Sequence, residues 1–463
     1  MRARRLSCLV VLLAALVSAL SACAVPNVNG VAATSPSGPQ TLIGAHGPLS
    51  ATRSREILDT LKRQSPDSDI LDRHLAIEQA VTGVPLIAGN RTAILHDGGE
   101  TFSAMFDAIR NAQAAVNLEF YTFEDVESGG EHLGALLVAK RAQGVAVNIL
   151  YDSYGSVDTP PEFLKSLRAA GCLVLQYNPI DPLHSRGAYL PNDRDHRKLL
   201  IVDGLTAFVG GVNLYTGYQG HPHSELVGSG GDTGVFWHDT DLEIEGPAVA
   251  ALQQLFVQHW ADQGGPPLDQ STFFPPLRRE GNEVLHVLGS TPSQPVPAYY
   301  ATILSAITNA EQRIWLTTAY FVPTEDELDD LKSAARRGVD VRLMLPSQSD
   351  SPSAFDVGRS HYDDLLEAGV KLYEIQNEVL HSKTATIDSV WSVIGSSNFD
   401  HRSVLFNDEV DVVVLGRATA AQLEAEFQAD EAKSRMIDAT TWSHRPFEER
   451  IRELFARLWQ SML

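Results

Sequence analysis

The stretch Ala108-Ile109-Arg110-Asn111-Ala112, running into Val116-Asn117-Leu118-Glu119-Phe120-Tyr121, has a counterpart in Ala306-Ile307-Thr308-Asn309-Ala310 followed by Ile314-Trp315-Leu316-Thr317-Thr318-Ala319-Tyr320. Each reads as the end of a helix feeding a buried strand. Outward from this pair the likeness continues. Lys140-Arg141-Ala142-Gln143-Gly144-Val145 precedes a strand over 147–151, and Ala335-Arg336-Arg337-Gly338-Val339 precedes one over 341–345. In both, a glycine closes a helix and aliphatic residues follow. Leu167-Arg168-Ala169-Ala170-Gly171 and Leu366-Glu367-Ala368-Gly369 form a third pair. Such a repeat predicts a duplicated α/β unit with a mostly parallel sheet in each half. The halves should pack about a pseudo-twofold axis, with 262–276 as connector and a boundary at Pro275–Pro276.

Residues able to carry chemistry fall at matched places in the repeat. His196-Arg197-Lys198-Leu199-Leu200-Ile201-Val202-Asp203 and His381-Ser382-Lys383-Thr384-Ala385-Thr386-Ile387-Asp388 share the pattern H-x-K-x4-D. Strand alternation puts each His and Lys on one face. A small-residue turn follows each copy, ending at Asn213 in Val209-Gly210-Gly211-Val212-Asn213 and at Asn398 in Ile394-Gly395-Ser396-Ser397-Asn398. One such motif would be unremarkable, because surface His and Lys are common. Two at equivalent places imply a function. Phosphodiester exchange needs a nucleophile, a proton donor for the leaving oxygen, and cations around the phosphoryl oxygens. Imidazoles titrating near ~6.5 suit the first two roles. The lysines and asparagines can hold the oxygens. This set calls for no metal and no cofactor.

The duplicated motif resembles the signature of the phospholipase D superfamily. The likeness to its bacterial cardiolipin synthases extends through Gly395 to Ser403, Asn407 and Glu409, through Trp237 to Val249, and through Thr82-Gly83-Val84-Pro85-Leu86, Asp97-Gly98 and Tyr320-Phe321-Val322-Pro323. It covers about Ile77 to the C-terminus. The resemblance implies two tandem α/β/α sandwich halves, 55–275 and 276–463, with the active site at their interface. It implies a phosphatidyltransferase acting on phosphatidylglycerol-like phospholipids through a phosphohistidine. The alternative is a hydrolase of the same superfamily releasing phosphatidic acid, and a phosphodiesterase or nuclease is a further reading. One histidine attacks phosphorus and the other handles the proton. His196 is the favoured nucleophile, although the symmetry of the motifs does not decide it. Lys198, Lys383, Asn213 and Asn398 bind phosphate. Asp203 and Asp388 complete the motif set, more as fixers of geometry than as proton carriers. Aligning 407–412 with 237–242 sets Glu409 opposite Asp239. In the superfamily the acid after one motif supports the histidine of the other half, so Glu409 is expected on His196 and Asp239 on His381, with Asp241 as rival for the second role.

The N-terminus reads as a targeting segment. Arg2, Arg4 and Arg5 precede an apolar run from Leu9 to Leu20, too short to span a bilayer at the ~20 residues required. Leu20-Ser21-Ala22-Cys23 resembles a bacterial lipobox. Residues 1–22 are expected to be a lipoprotein signal peptide, Cys23 the lipidated residue, and 23–54 a flexible tether rich in Pro, Gly and Ser. The protein would then sit on a membrane of the bacterial cell envelope, on the periplasmic side in a Gram-negative cell. The 463 residues are 44% hydrophobic and 20% charged, ordinary globular composition. The formal net charge is −22, and it becomes −25 once the three arginines leave with the signal. So acidic a surface repels polyphosphate and argues against nucleic acid as a partner. Three cysteines are too few for a disulfide framework. Cys172 reads as a core residue.

Certain features depart from the family pattern. Cardiolipin synthases commonly begin with two membrane helices, and here a lipobox and tether stand in their place. Phe399 replaces the usual Leu. A Gly/His-rich insertion over 217–236 carries His221 and His223, which read as incidental rim histidines. His184 and His238 are expected in surface or structural roles. Phe447, Ile451, Leu454, Phe455 and Leu458 recur at helical spacing, and packing of that face onto the core is expected, with a membrane-surface role as the alternative.

Overall fold

A computed structural model describes residues 41–64, 68–75, 83–184, 190–219 and 236–462. Residues 1–22, read as a signal peptide, and Cys23, His221 and His223 lie outside these residues, as does the side chain of His184. The first half runs β1 (Ile87–His96), α1 (Asp97–Asn111), β2 (Ala115–Phe120), α2 (Leu133–Ala142), β3 (Ala146–Asp152), α3 (Pro161–Ala169), β4 (Leu173–Tyr177), β5 (Lys198–Val202), β6 (Thr206–Gly210), β7 (Thr240–Glu245) and α4 (Ala248–Asp262). Its strands lie in the order β4-β3-β2-β5-β6-β7-β1.

The second half repeats this. It runs β8 (Glu283–Ser290), α5 (Ala298–Asn309), β9 (Arg313–Thr318), α6 (Glu325–Arg336), β10 (Asp340–Pro346), α7 (Pro352–Ser360), α8 (Tyr362–Ala368), β11 (Lys371–Ile375), β12 (Lys383–Ile387), β13 (Trp391–Gly395), β14 (Asn407–Leu415) and α9 (Arg417–Lys433). The strand order is β11-β10-β9-β12-β13-β14-β8. The expected mostly parallel sheet is therefore corrected. Among the fourteen strands named, β2, β3, β4 and their counterparts β9, β10, β11 pair in parallel and the other pairings within each sheet are antiparallel. Helical crossovers link only those strands. β5 and β6 are joined instead by a tight turn at Asp203-Gly204, and β12 and β13 by one at Asp388-Ser389. All four turn residues have φ of 50–65°, the backbone of a hairpin turn of primed type.

Helices α1, α2 and α3 cover one face of the first sheet, and α4 covers the other. Val249, Leu252 and Phe256 of α4 share a core with Val410 and Val412 of β14, so the halves meet through apolar side chains. β1 and β8 pair antiparallel, with Leu285 opposite Ile87, and join the two sheets edge to edge. β5 is buried along its whole length, as a central strand covered on both faces must be.

Two expectations at the N-terminal boundary change. Folded structure is present from residue 41, not from Arg55. A small hairpin pairs Ile43 with Pro48, and Ser50 caps a helix at Ala51–Lys62 by accepting from the Arg53 amide at 3.2 Å. This segment packs on the second half rather than the first. Leu42, Leu58, Leu61, Ile70 and Leu71 join the core beneath α5 and α6, and His74 Nδ1 lies 3.0 Å from the Ser305 hydroxyl. The apolar residues found no site on the first sheet because α1 to α3 already cover its outer face. At the other end, the helix α10 (Phe447–Ala456) keeps its large apolar side chains exposed, contrary to the expected packing. Among the described residues no helix is long and apolar enough to cross a membrane.

Candidate active site

β5 runs antiparallel to β2 with Lys198 opposite Phe120, and β12 runs antiparallel to β9 with Lys383 opposite Thr318. The His-Lys ends of both motifs thus lie at the carboxyl ends of parallel strands, where α/β sheets place their ligand sites. Asp203 and Asp388 lie at the opposite ends. Asp203 accepts from the backbone amides of Gln113, Ala114 and Ala115 at 2.8, 2.7 and 2.9 Å. Asp388 accepts from Glu311, Gln312 and Arg313 at 3.0, 2.8 and 3.0 Å. These contacts fit the expected role of the two acids as fixers of geometry. A strand of five residues separates each from its histidine's neighbourhood, and their work is to pin the loop entering β2 or β9.

Each histidine is seated in the other half. A short parallel ladder joins 194–195 to 407–408, and the His196 amide donates to the Asp408 carbonyl at 2.9 Å. A matching ladder joins 379–380 to 237–238, and the His381 amide donates to the His238 carbonyl at 2.8 Å. The residue following each acceptor is the paired acid. Glu409 lies 3.0 Å from His196 Nδ1 through either carboxylate oxygen. Asp239 lies 2.7 Å from His381 Nδ1. The crossed arrangement is present in both copies, and Asp239, not Asp241, occupies the second place. A carboxylate on Nδ1 fixes the tautomer and leaves the lone pair on Nε2.

The two acids are supported differently. Glu409 also accepts from Ser396 Oγ at 2.5 Å, Ser403 Oγ at 2.8 Å and Asn407 Nδ2 at 3.1 Å. Asp239 accepts from the Tyr218 hydroxyl at 2.5 Å and its own neighbour's amide, Thr240, at 2.9 Å. Gly211 stands where Ser396 stands in the second copy. A Cβ at 211 would collide with Oδ1 of Asp239, so the position has room only for glycine. Burial works to raise both carboxyls, but His196, Lys198 and Ser396 hold Glu409 below its usual range, and His381, Lys383 and Tyr218 do the same for Asp239. Asp241 and Asp411, two residues on, are pushed the other way by burial, Asp411 to about 8. Asp411 is held by Ser397 through Oγ at 2.6 Å, whereas Val212 occupies the corresponding place beside Asp241. Burial and the charge of the neighbouring carboxylate both favour the neutral form at these two positions.

Burial also sets the bases. It pushes His196 down to about 4, against the pull of Glu409, and lowers His381 with Lys383 adding to the drop. It lowers Lys198 to about 7 and Lys383 to about 8. Lys198 Nζ donates to the His196 carbonyl at 2.6 Å and sits 5.3 Å from the Tyr121 ring centre; Lys383 Nζ donates to the His381 carbonyl. Asn213 accepts from the Thr122 amide through Oδ1 at 3.2 Å, which leaves its NH2 as a donor. The Asn398 backbone amide donates to Ser403 Oγ at 3.0 Å. Both asparagines are buried with the histidines.

Tyr218 and Ser403 went unread in the sequence. Tyr218 falls in what reads as a Gly/His-rich insertion, and only its fold-back onto α1 and Trp237 reveals it. Ser403 follows the motif closely enough that its hydroxyl could have been suspected. His238 is structural, with Nδ1 3.1 Å from Asp97 and Nε2 2.9 Å from Asp430. Among the described residues, His238 with Glu426 and Asp430, and Glu119 with Asp195 and His259, have metal-compatible spacing. In each the imidazole already supplies the cation: carboxylate neighbours raise His259 to about 10 and His238 well above its usual value, despite burial.

A family described as "Cardiolipin synthase, PLD-like domain" matches residues 105–226 and 303–431, one range in each half. The cardiolipin synthase of Geobacillus thermodenitrificans is 36% identical over 384 residues, which are 82% of this chain and 74% of that one. Cardiolipin synthase A of Pseudomonas fluorescens is 35% identical over 343 residues, 74% of this chain and 68% of that one. Among solved structures, the phosphatidylserine synthase of Haemophilus influenzae shares the fold with a TM-score of 0.63 at 13% identity, over 83% of this chain and 97% of that one. The chain belongs to the cardiolipin synthase family of phospholipase D-like enzymes.

Proposed function

We propose that the protein is a phosphatidyltransferase of the cardiolipin synthase type, acting on phosphatidylglycerol-like phospholipids. The carrying observation is the crossed pairing: each half supplies a histidine, and the opposite half supplies the acid on its Nδ1. His196 Nε2 attacks phosphorus, the P–O bond to glycerol breaks, and His381 gives the leaving alkoxide a proton. His381 then takes the proton from an incoming hydroxyl, whose oxygen attacks phosphorus and releases His196. With a second phosphatidylglycerol as acceptor the products are cardiolipin and glycerol. Lys198, Lys383, Asn213 and Asn398 hold the non-bridging oxygens as charge builds on them. The assignment of His196 as nucleophile is supported by its acid: four donors to Glu409 keep that carboxylate weakly basic, so His196 stays neutral and retains its lone pair.

Incubation with phosphatidylglycerol and mass spectrometry of the lipids tests this reading. Cardiolipin with free glycerol is the expected result. Phosphatidic acid as sole product would make the enzyme a hydrolase, and unchanged lipid would overturn the reading.

We further propose that the protein is a lipoprotein of the bacterial cell envelope, held through acyl chains on Cys23. The support is the lipobox-like Leu20-Ser21-Ala22-Cys23 after a short apolar run. Acyl chains contribute ~0.8 kcal/mol per buried CH2, enough together for stable anchoring. An N-terminal peptide without acyl modification, read by mass spectrometry, would remove this assignment.

A further inference from the structure

Helix α10 and the turn after it are built inside out. Glu449, Arg452, Glu453 and Gln460 reach partners on the body of the protein. Glu453 is buried and accepts from Arg445 Nε at 3.0 Å. Arg452 reaches Asp356 at 2.8 Å, Glu449 reaches Arg359 at 3.2 Å, and Gln460 donates to the Pro323 carbonyl at 2.7 Å. The apolar side chains face outward: Phe447, Leu454, Phe455 and Leu458 are each 63–74% exposed, and Ile451 is 39% exposed. A helix docked on a core in water presents the reverse, and a contiguous exposed apolar stripe marks a surface that meets another apolar phase.

The stripe's position says which phase. α10 packs on α7, which follows β10 at the same strand ends that carry His381. Ala456 and Tyr320 both pack against the cluster of Val322, Ala354 and Val357, and the Tyr320 ring stands edge-on to the His381 ring at 6.4 Å. On the first half, Tyr154 and Val157 follow β3, and Ile180 and Leu183 follow β4, all exposed and all at the strand ends that carry His196. Arg450 is exposed, one helical turn from both Phe447 and Leu454, where a phosphate above the apolar stripe would meet it.

We propose that α10, with Tyr154 and Val157 after β3 and Ile180 and Leu183 after β4, is the docking surface by which the enzyme sits on a phospholipid bilayer, with the active site facing the headgroups. The occupant is argued from the phospholipid reading of the site, on which the proposal rests. A two-chain lipid keeps its phosphorus at the bilayer surface, so the site must be brought to that depth. Apolar side chains around the entrance would enter the acyl boundary and Arg450 would stay with the phosphates.

The test uses the full-length chain with Leu454→Trp, and Leu205→Trp in the turn at the opposite strand ends as control. Both sites are exposed, so folding is not at stake. With vesicles of brominated phosphatidylglycerol, the fluorescence added by Leu454→Trp is expected to fall at least twofold and that added by Leu205→Trp to stay unchanged. Absence of quenching at 454 overturns the proposal. So does shielding of 454 that grows with protein concentration without vesicles, which would make the stripe an interface between copies. Quenching at 454 in a protein that turns over no phospholipid would keep the surface and remove the functional reading; turnover without quenching would do the opposite.

Discussion

The Glu409 carboxylate meets His196 Nδ1 at 3.0 Å from the opposite half of the molecule, and three further donors hold it there. An imidazole so held keeps one tautomer, and the developing positive charge on the phosphohistidine has a fixed counter-charge. Glu409→Gln preserves the shape but offers Nδ1 either a donor or an uncharged acceptor. Turnover should drop by about 10³- to 10⁴-fold, the scale seen when a hydrolytic triad loses its acid. The melting temperature should fall modestly, because a Gln amide cannot accept from all four buried donors that Glu409 serves. Retention of more than a tenth of wild-type turnover in steady-state assay would discount the role of the pair.

His196→Ala and His381→Ala should each abolish measurable turnover, since nucleophile and proton carrier serve one reaction coordinate. The double variant should be no worse than either single one. Rapid-quench experiments with radiolabelled phosphatidylglycerol should trap a phosphatidyl-enzyme in His381→Ala and none in His196→Ala. The reverse pattern would exchange the two roles.

Tyr218 acts through Asp239, as a positioning residue. Its hydroxyl donates to Oδ2 and lies 2.9 Å from His381 Nδ1. Tyr218→Phe removes one hydrogen bond to a buried carboxylate, worth ~1.5–3 kcal/mol, and should slow turnover about 10- to 100-fold. The loss should fall on kcat rather than KM, and the pH profile should shift, because Asp239 becomes more basic and raises His381. An unchanged profile with a lower melting temperature would make Tyr218 merely structural.

Much of this arrangement could be read in the sequence, and the unread part has definite causes. The equivalence of Glu409 and Asp239 followed from aligning two copies of one strand, because a duplication carries over register and face; that each acid supports the histidine of the other half came with the resemblance to the superfamily. Topology beyond β2 to β4 was misread because an apolar strand reads alike whether its neighbour runs parallel or antiparallel. The Asp-Gly at 203–204 was the overlooked sign of a hairpin. Tyr218 was invisible because nothing in the second copy corresponds to it: Ser396 supports Glu409 from within the motif, whereas Asp239 is supported from a later loop. Periodicity located α10, but whether its apolar face turned in or out was decided by Arg359, Arg445 and Asp356, remote in sequence, which offer partners only to the charged side.

Asp388→Ala should separate stability from chemistry. The carboxylate gathers three backbone amides at the start of β9, at the strand end away from His381. Its loss should cost about 2–4 kcal/mol, seen as a lower denaturation midpoint in urea. At a temperature where the variant remains folded, turnover should stay within about fivefold of wild type. A drop of the size expected for His381→Ala, without loss of stability, would return Asp388 to the catalytic set.

The lysines set the pH dependence. Burial lowers Lys198 to about 7 and Lys383 to about 8 in the empty site, so both change charge near neutrality. A phosphodiester is anionic and binds the protonated amines. The enzyme should therefore lose kcat/KM as pH rises through about 7 to 8, as the free site sheds these protons. The two amines interact through the same small space, so the limb belongs to the pair rather than to either residue. Bound phosphate stabilises both cations and raises both values, so the alkaline limb of kcat should lie above that of kcat/KM. On the acid side His196, lowered to about 4, keeps its lone pair well below neutrality, while His381, lowered as well, gains as pH falls the proton it must give to the leaving oxygen, so kcat/KM should show no acid limb from about pH 7 down to about 5. Profiles from pH 5 to 10 on dispersed phosphatidylglycerol would check this. A kcat/KM flat from pH 6 to 9, or an alkaline limb at the same pH in both parameters, would show that the lysines keep their protons without substrate.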